Sequence, residues 1–195
     1  MSNEVLTTLY FVRHAESEYV EGLERERGLT EQGKHDAEKV SCLLLDESIN
    51  LFYSSPYKRA LDTVQGLADQ VGAEIVTNED LRERALSSSN VRHTNFQSAK
   101  RKLYEDRSFA FPGGESSIQA QQRAVRAISD ILERHSGQKI VIGTHGDVMT
   151  LIFNYYDESY DYGFWGSTSM PDIYKLEFNE NHKLMHVSRL WEPNT

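Results

Sequence analysis

Short runs of β-branched and aromatic residues alternate along this chain with segments whose apolar positions recur every three or four residues. That alternation is the pattern of parallel strands joined by crossover helices. Leu6 to Val12 reads as a buried strand ending at Arg13, and Leu51 to Ser54 as a short second strand. Glu74 to Thr77 continues the series, and Lys139 to Thr144 (KIVIGT) is strongly apolar. Thr30 stands where an N-cap belongs, ahead of a helix burying Ala37, Val40, Leu43 and Leu44, with Gly33 early enough to be tolerated. Pro56 opens a helix with Ala60, Val64, Leu67, Ala68 and Val71 on one side.

From Arg82 to Phe111 the periodicity dissolves into a polar stretch containing Ser87, Ser88, Ser89 and the basic cluster Lys100, Arg101, Lys102. A stretch of that kind suits a lid inserted over a site, about residues 84 to 111. Its basic cluster reads as a solvated face partly cancelled by Glu105 and Asp106. Pro112, Gly113 and Gly114 break the chain before an amphipathic helix, about Glu115 to Arg134, that buries Ile118, Val125, Ile128 and Leu132. A mostly apolar helix follows from Gly146 to Tyr156, and Asp172 to Phe178 and Lys183 to Trp191 flank an Asn179 to His182 turn as a hairpin. The fold expected is α/β: a three-layer sandwich with a central, mostly parallel sheet between helices, plus the lid. No repeat or linker divides the chain, so residues 1–195 are expected to form one domain.

Composition removes several functions. A formal net charge of -9, from 30 acidic against 21 basic residues, opposes sequence-independent nucleic-acid binding. No apolar run reaches the length of about 18 residues needed to span a membrane, and the N-terminus lacks the features of an export signal. The single Cys42 offers no internal disulfide and no CxxC pair, which fits a reducing cytoplasm. No P-loop, GxGxxG or HExxH occurs, and His35, His93, His135, His182 and His186 lack metal-ligand spacing with one another.

Arg13 and His14 end the first strand and His145 ends KIVIGT; parallel packing of the two strands brings all three to one rim, where ligand sites of open α/β sheets lie. An isolated Arg-His pair is commonly structural, and it gains weight here from its strand context and from the blocks that follow.

The segments LYFVRHAES, SSPYKRALDT and IVIGTHGDV together resemble the histidine phosphatase superfamily, which includes cofactor-dependent phosphoglycerate mutases and their phosphatase relatives. The resemblance spans about residues 6 to 178 and keeps the family order: Arg-His, a helix-borne Arg, an acid, then His-Gly. It implies that His14 is a nucleophile forming a phosphohistidine, with no metal or cofactor. It implies further that Arg13, Arg59 and His145 hold the phosphoryl oxygens, guanidinium forks matching phosphate geometry bidentately. Ser17, Arg84 and Gly146 are additional candidates for binding phosphate or substrate, and Arg84 or Arg92 for holding the leaving group. Leu81, Arg82, Glu83 match the family's Leu, one residue, Glu, so Glu83 is the expected general acid and later the base for water. Its rivals are Glu16 and Asp147, and its bland alternative is an exposed ion pair beside Arg82 and Arg84.

Ala15 stands where the family usually has Gly, Val20 where mutases have a ligand-binding Asn, and Arg84, Ala85, Leu86 where a Trp-Glu-Gly-like sequence often follows the acid. These departures favour a phosphatase of a small phosphomonoester over a phosphoglycerate mutase. A non-catalytic phospholigand- or protein-binding member is disfavoured by the retained His14, Arg13, Arg59 and His145. The partner expected is a small phosphorylated molecule, with no nucleic acid and no membrane, and a homodimer left open.

Overall fold

Alternate residues of the first strand feed two different cores. In the computed structural model, which describes residues 5–88 and 95–193, β1 (Thr7–Arg13) is buried along nearly its whole length. Leu9 and Phe11 enter one cluster, Tyr10 and Val12 another on the opposite face. A strand apolar on both faces must be covered on both, and this one is.

The sheet has six strands in the order β3-β2-β4-β1-β5-β6. β2 (Leu51–Ser54) pairs in parallel with β3 (Ile75–Thr77) and with β4 (Lys139–Thr144), and β4 in turn with β1. β5 (Asp172–Phe178) runs antiparallel to β1 and forms a hairpin with β6 (Leu184–Arg189). The sheet is therefore mixed, its parallel part holding the Arg-His and His-Gly strands.

α1 (Glu31–Leu44) and α2 (Lys58–Val71) cover one face through Val40, Leu44, Val64, Leu67 and Ala68. α4 (Ser117–Arg134) and α5 (Gly146–Tyr156) cover the other through Ala124, Ile128, Leu132, Met149, Ile152 and Phe153. This is the expected three-layer α/β arrangement. Each fully buried Leu, Ile, Val or Phe contributes about 1.5–3 kcal/mol, so the two cores dominate stability.

Several local expectations need correction. Leu43 is 40% exposed and Ile118 38% exposed, because each falls just outside its helix's buried stripe. Gly33 is required: a Cβ there would meet the Glu16 carbonyl oxygen at 2.0 Å, since the loop after β1 crosses α1 at that residue. The second helix begins at Lys58, after an extended Tyr57, and α4 at Ser117 behind a Ser116–Gln119 capping box. The 84–111 segment, read as aperiodic, contains a ten-residue helix, α3 (Phe96–Glu105), capped by Asn95. A short helix absent from the sequence reading, α6 (Tyr162–Ser167), starts where the Asp161 carboxylate accepts the amides of Gly163 and Phe164. No helix among the described residues is long and apolar enough to cross a membrane.

Candidate active site

The parallel register of β1 and β4 sets Arg13 opposite Thr144, so the next residues, His14 and His145, leave the sheet together. The His14 amide donates to the Thr144 carbonyl at 3.0 Å, and the ring centroids lie 5.3 Å apart. Neighbouring strands are about 4.8 Å apart, so two side chains at matched strand ends must meet.

His14 is buried and its tautomer is set by the backbone. Nδ1 lies 2.7 Å from the Ala15 carbonyl oxygen, which can only accept, so the proton is on Nδ1 and the lone pair on Nε2. Nε2 accepts the Arg59 Nε–H at 3.2 Å. Burial, then the Arg59 charge, hold the imidazole well below its ordinary pKa, leaving it neutral and nucleophilic at neutral pH.

His145 is equally buried, and its Nε2 lies 2.7 Å from the Ser55 hydroxyl. That hydroxyl also accepts the Tyr57 amide; assigning its own hydrogen to Nε2 puts the ring proton on Nδ1. Among the described residues His145 Nδ1 and Arg13 Nε have no hydrogen-bond partner although both are buried. Burial, the neighbouring His14 and then Arg59 keep His145 well below its ordinary pKa, so it too is neutral.

Arg13 donates Nη1 to the carbonyl and hydroxyl of Thr168. Its approach depends on Gly146, where a Cβ would lie 2.8 Å from the Arg13 Cζ. Gly146 is therefore the space that lets the guanidinium lie against the start of α5. Arg59, on the first turn of α2, donates Nη1 to the Glu24 carbonyl and packs over the Tyr57 ring, 5.0 Å from its centroid. Burial lowers both arginines' pKa values, opposed at Arg13 by Glu83 and Asp172 and reinforced at Arg59 by Arg27. One buried and one partly buried cation with incomplete anionic partnership are what a phosphate would complete.

Glu83 is half-buried against the N-terminus of α5. Its Oε1 accepts the amides of Val148 (3.0 Å) and Arg84 (2.9 Å), and its Oε2 accepts the Asp147 amide at 3.2 Å. Such donors stabilise a carboxylate after it has given its proton. Asp147, the rival acid, is fully buried. It accepts Arg84 through Nε (3.0 Å) and Nη2 (2.9 Å), Tyr104 Oη at 2.6 Å, and the Lys100 ammonium. Burial pushes its carboxyl up, but the charges of Lys100 and Arg84 outweigh that and hold it below the usual range. It is a saturated anion without a proton to give.

The profile of the histidine phosphatase superfamily, branch 1, matches residues 9–188. The chain belongs to that superfamily. Phosphoglycerate mutase-like protein 4 of Arabidopsis thaliana is 32% identical over 137 residues, 64% of this chain and 58% of that protein. The chain thus matches somewhat over half the length of that relative. Putative phosphoserine phosphatase 2 of Hydrogenobacter thermophilus is 29% identical over 154 residues, 74% of this chain and 75% of its own length. Among solved structures, Bacillus stearothermophilus YhfR superposes with a TM-score of 0.76 at 25% identity, covering 94% of this chain and 96% of that one. A mycobacterial glucosyl-3-phosphoglycerate phosphatase shares the fold, with a TM-score of 0.75 at 19% identity over 94% and 97% of the two chains.

In this histidine phosphatase His14, His145, Arg13, Arg59 and Gly146 converge at one rim, with Glu83 beside them. Arg84 does not join them: its side chain is fully buried, with its remaining nitrogen donating to the Ser117 hydroxyl at 2.6 Å, so every donor faces protein. Nor is the basic cluster wholly solvated, because Lys100 is buried against Asp147. The Ser17 hydroxyl accepts from Arg27 Nη1 at 2.5 Å, and Glu16 accepts from Thr30. Arg92, Ser89 and His93 lie outside the described residues. Ala15 is accommodated because its methyl is buried against Leu29 and Ala37.

Ser55, Tyr57, Thr168 and Arg123 were not anticipated. Ser55 lies inside SSPYKRALDT, where the residue just past a strand end was a usable signal. Arg123 of α4 donates to the carbonyls of Asp80, Arg82 and Glu83, holding the turn and loop that follow β3 and carry the acid. Nothing local in the helix pattern marks it out.

Proposed function

We propose that this histidine phosphatase hydrolyses a small phosphomonoester through a phosphohistidine on His14. The observation that carries the reading is the orientation of His14: a neutral ring whose Nδ1–H donates to the Ala15 carbonyl and whose Nε2 lone pair faces the Arg59 cation.

In the first step the Nε2 lone pair attacks phosphorus. The bond from phosphorus to the ester oxygen breaks, its electron pair stays on that oxygen, and Glu83 gives the proton that makes it an alcohol. In the second step a water oxygen attacks the phosphorus of phosphohistidine, its proton passes to Glu83, and the P–N pair returns to Nε2. Arg13, Arg59 and the Nδ1–H of His145 meet the charge on the equatorial oxygens, the largest catalytic contribution available where positioning and electrostatics dominate. Gly146 admits Arg13, while Arg84 serves Asp147 instead of substrate.

On this reading the described part of the 84–111 segment, with α3, borders the site within one domain, and a small phosphorylated molecule in the cytoplasm is the substrate assigned. Relatives named as phosphoserine and glucosyl-3-phosphoglycerate phosphatases support that class. The decisive experiment is incubation with a ³²P-labelled phosphomonoester followed by alkaline denaturing quench, since phosphohistidine is acid-labile. Label is expected on the wild type and absent from His14→Ala; equal label on both, or none on either during turnover, overturns the reading. Product analysis with 3-phosphoglycerate and a diphosphoglycerate primer tests the mutase alternative, with free phosphate and no isomer expected.

A further inference from the structure

Three elements meet at Glu83, and they are held by different means. Arg123 of α4 fixes its backbone, the first amides of α5 fix its carboxylate, and α3 reaches it through the carboxylate of Asp147, with the Tyr104 ring against Arg84 and the Leu103 carbonyl on Ser117 beside that link. Asp147 engages the acid twice: its backbone amide donates to Glu83 Oε2, and its side chain grips the guanidinium of Arg84, the residue following Glu83. Its remaining capacity goes to Lys100 and Tyr104, one helical turn apart on α3. Lys100 Nζ is further held over the rings of Phe96 (5.2 Å to the centroid) and Trp165 (5.4 Å), and Arg84 Cζ lies 5.1 Å from the Tyr104 centroid.

A buried carboxylate facing two buried cations is an expensive device for stability alone, since well-packed apolar side chains often do as well. What it does supply is direction. The bidentate fork of Arg84 fixes the plane of the Asp147 carboxylate, and with it the azimuth of the first turn of α5 whose amides hold Glu83. We propose that Asp147 is a positioning residue that docks helix α3 of the 84–111 segment and thereby aligns Glu83 for protonation of the leaving oxygen. This inference rests on the assignment of Glu83 as general acid.

A positioning role is separable from a merely structural one by the leaving group. p-Nitrophenolate departs without a proton, whereas the alkoxide of glycerol 2-phosphate needs one, so kcat/KM for the two esters reports proton delivery in the phosphorylation step. Asp147→Asn is expected to lose at least about tenfold more kcat/KM on the alkyl ester than on the aryl ester, a part of the roughly 10²- to 10⁴-fold that a well-placed acid supplies. Tyr104→Phe removes one hydrogen bond and keeps both ion pairs, and is expected to show the same selective loss at about two- to fivefold. Should Asp147→Asn fail to fold, the Tyr104→Phe ratio decides alone.

Equal loss on both esters in the folded variants overturns the inference. Glu83→Gln is measured alongside: its own selective loss, together with label trapped on His14, confirms the underlying mechanism whichever way Asp147 falls. If Glu83→Gln shows no leaving-group dependence, the acid assignment is wrong and the role of Asp147 falls with it.

Discussion

Arg59 Nε donates to His14 Nε2 at 3.2 Å, so the cation assigned to a phosphoryl oxygen rests on the very nitrogen assigned to attack. One contact sets the direction of the lone pair and disfavours its protonation. On substrate binding the guanidinium must pass from nitrogen to phosphoryl oxygen, which keeps it adjacent to the charge throughout the transfer.

Arg59→Ala is accordingly expected to lower kcat by about 10²- to 10³-fold, the usual cost of removing one preorganised donor to a developing charge. Arg59→Lys should recover little, because an ammonium cannot reach His14 and the Glu24 carbonyl at once. Steady-state kinetics on the folded variants, with circular dichroism as control, checks both, and full activity in Arg59→Lys would contradict the fork.

Gly146→Ala tests the close approach. The added methyl would sit 2.8 Å from Arg13 Cζ, so the guanidinium must move by a few tenths of an ångström or more. Roughly tenfold or greater loss of kcat/KM is expected, since small misplacements at a reacting centre can cost up to about 10²-fold. Weaker inhibition by inorganic phosphate should accompany it; unchanged inhibition would place Arg13 away from the anion.

Both site histidines carry folded-state pKa values well below the ordinary 6.5. Below pH 6.5 the unfolded chain therefore binds protons at these positions that the folded chain does not, and the stability they contribute is lost as pH falls. It is fully present above that value. The loss is expected to steepen between pH 6 and 5, before most carboxylates titrate, with about 1.4 kcal/mol per pH unit for each imidazole as its upper limit. Urea unfolding at pH 7.5, 6 and 5 measures it, and His145→Gln should show a shallower loss than wild type.

Arg84→Met separates bracing from substrate binding. With its donors spent on Asp147 and Ser117, its loss should lower unfolding free energy by about 2–3 kcal/mol, Lys100 still partnering the carboxylate. Equilibrium urea denaturation reads this directly. A raised KM with unchanged stability would return Arg84 to the substrate.

The sandwich was legible because its signals are local. Leu6 to Val12 and KIVIGT are apolar on both faces, as only central strands are, and Val64, Leu67 and Ala68 mark one helix face. The phosphate cluster was legible for a related reason: Arg13 ends β1, and His14 and His145 follow the ends of β1 and β4, so a parallel sheet gathers them at one rim. Helix α3 was missed because its buried face is only Ala99, Lys100 and Leu103, and a buried lysine looks like a solvated one until its anion is known.

The sequence by itself determined which strands lie in the sheet's centre and which imidazole and guanidinium groups stand at its rim, because burial patterns and strand ends are written into neighbouring residues. Only the tertiary structure decided which ring nitrogen of His14 is free, why residues 33 and 146 are glycine, and that Asp147 is a clamped anion while Arg84 is its brace. Those outcomes depend on atoms from residues 13 to 147 brought within a few ångströms of one another, and hydrogen-bond partnership at that range leaves no periodic trace along the chain.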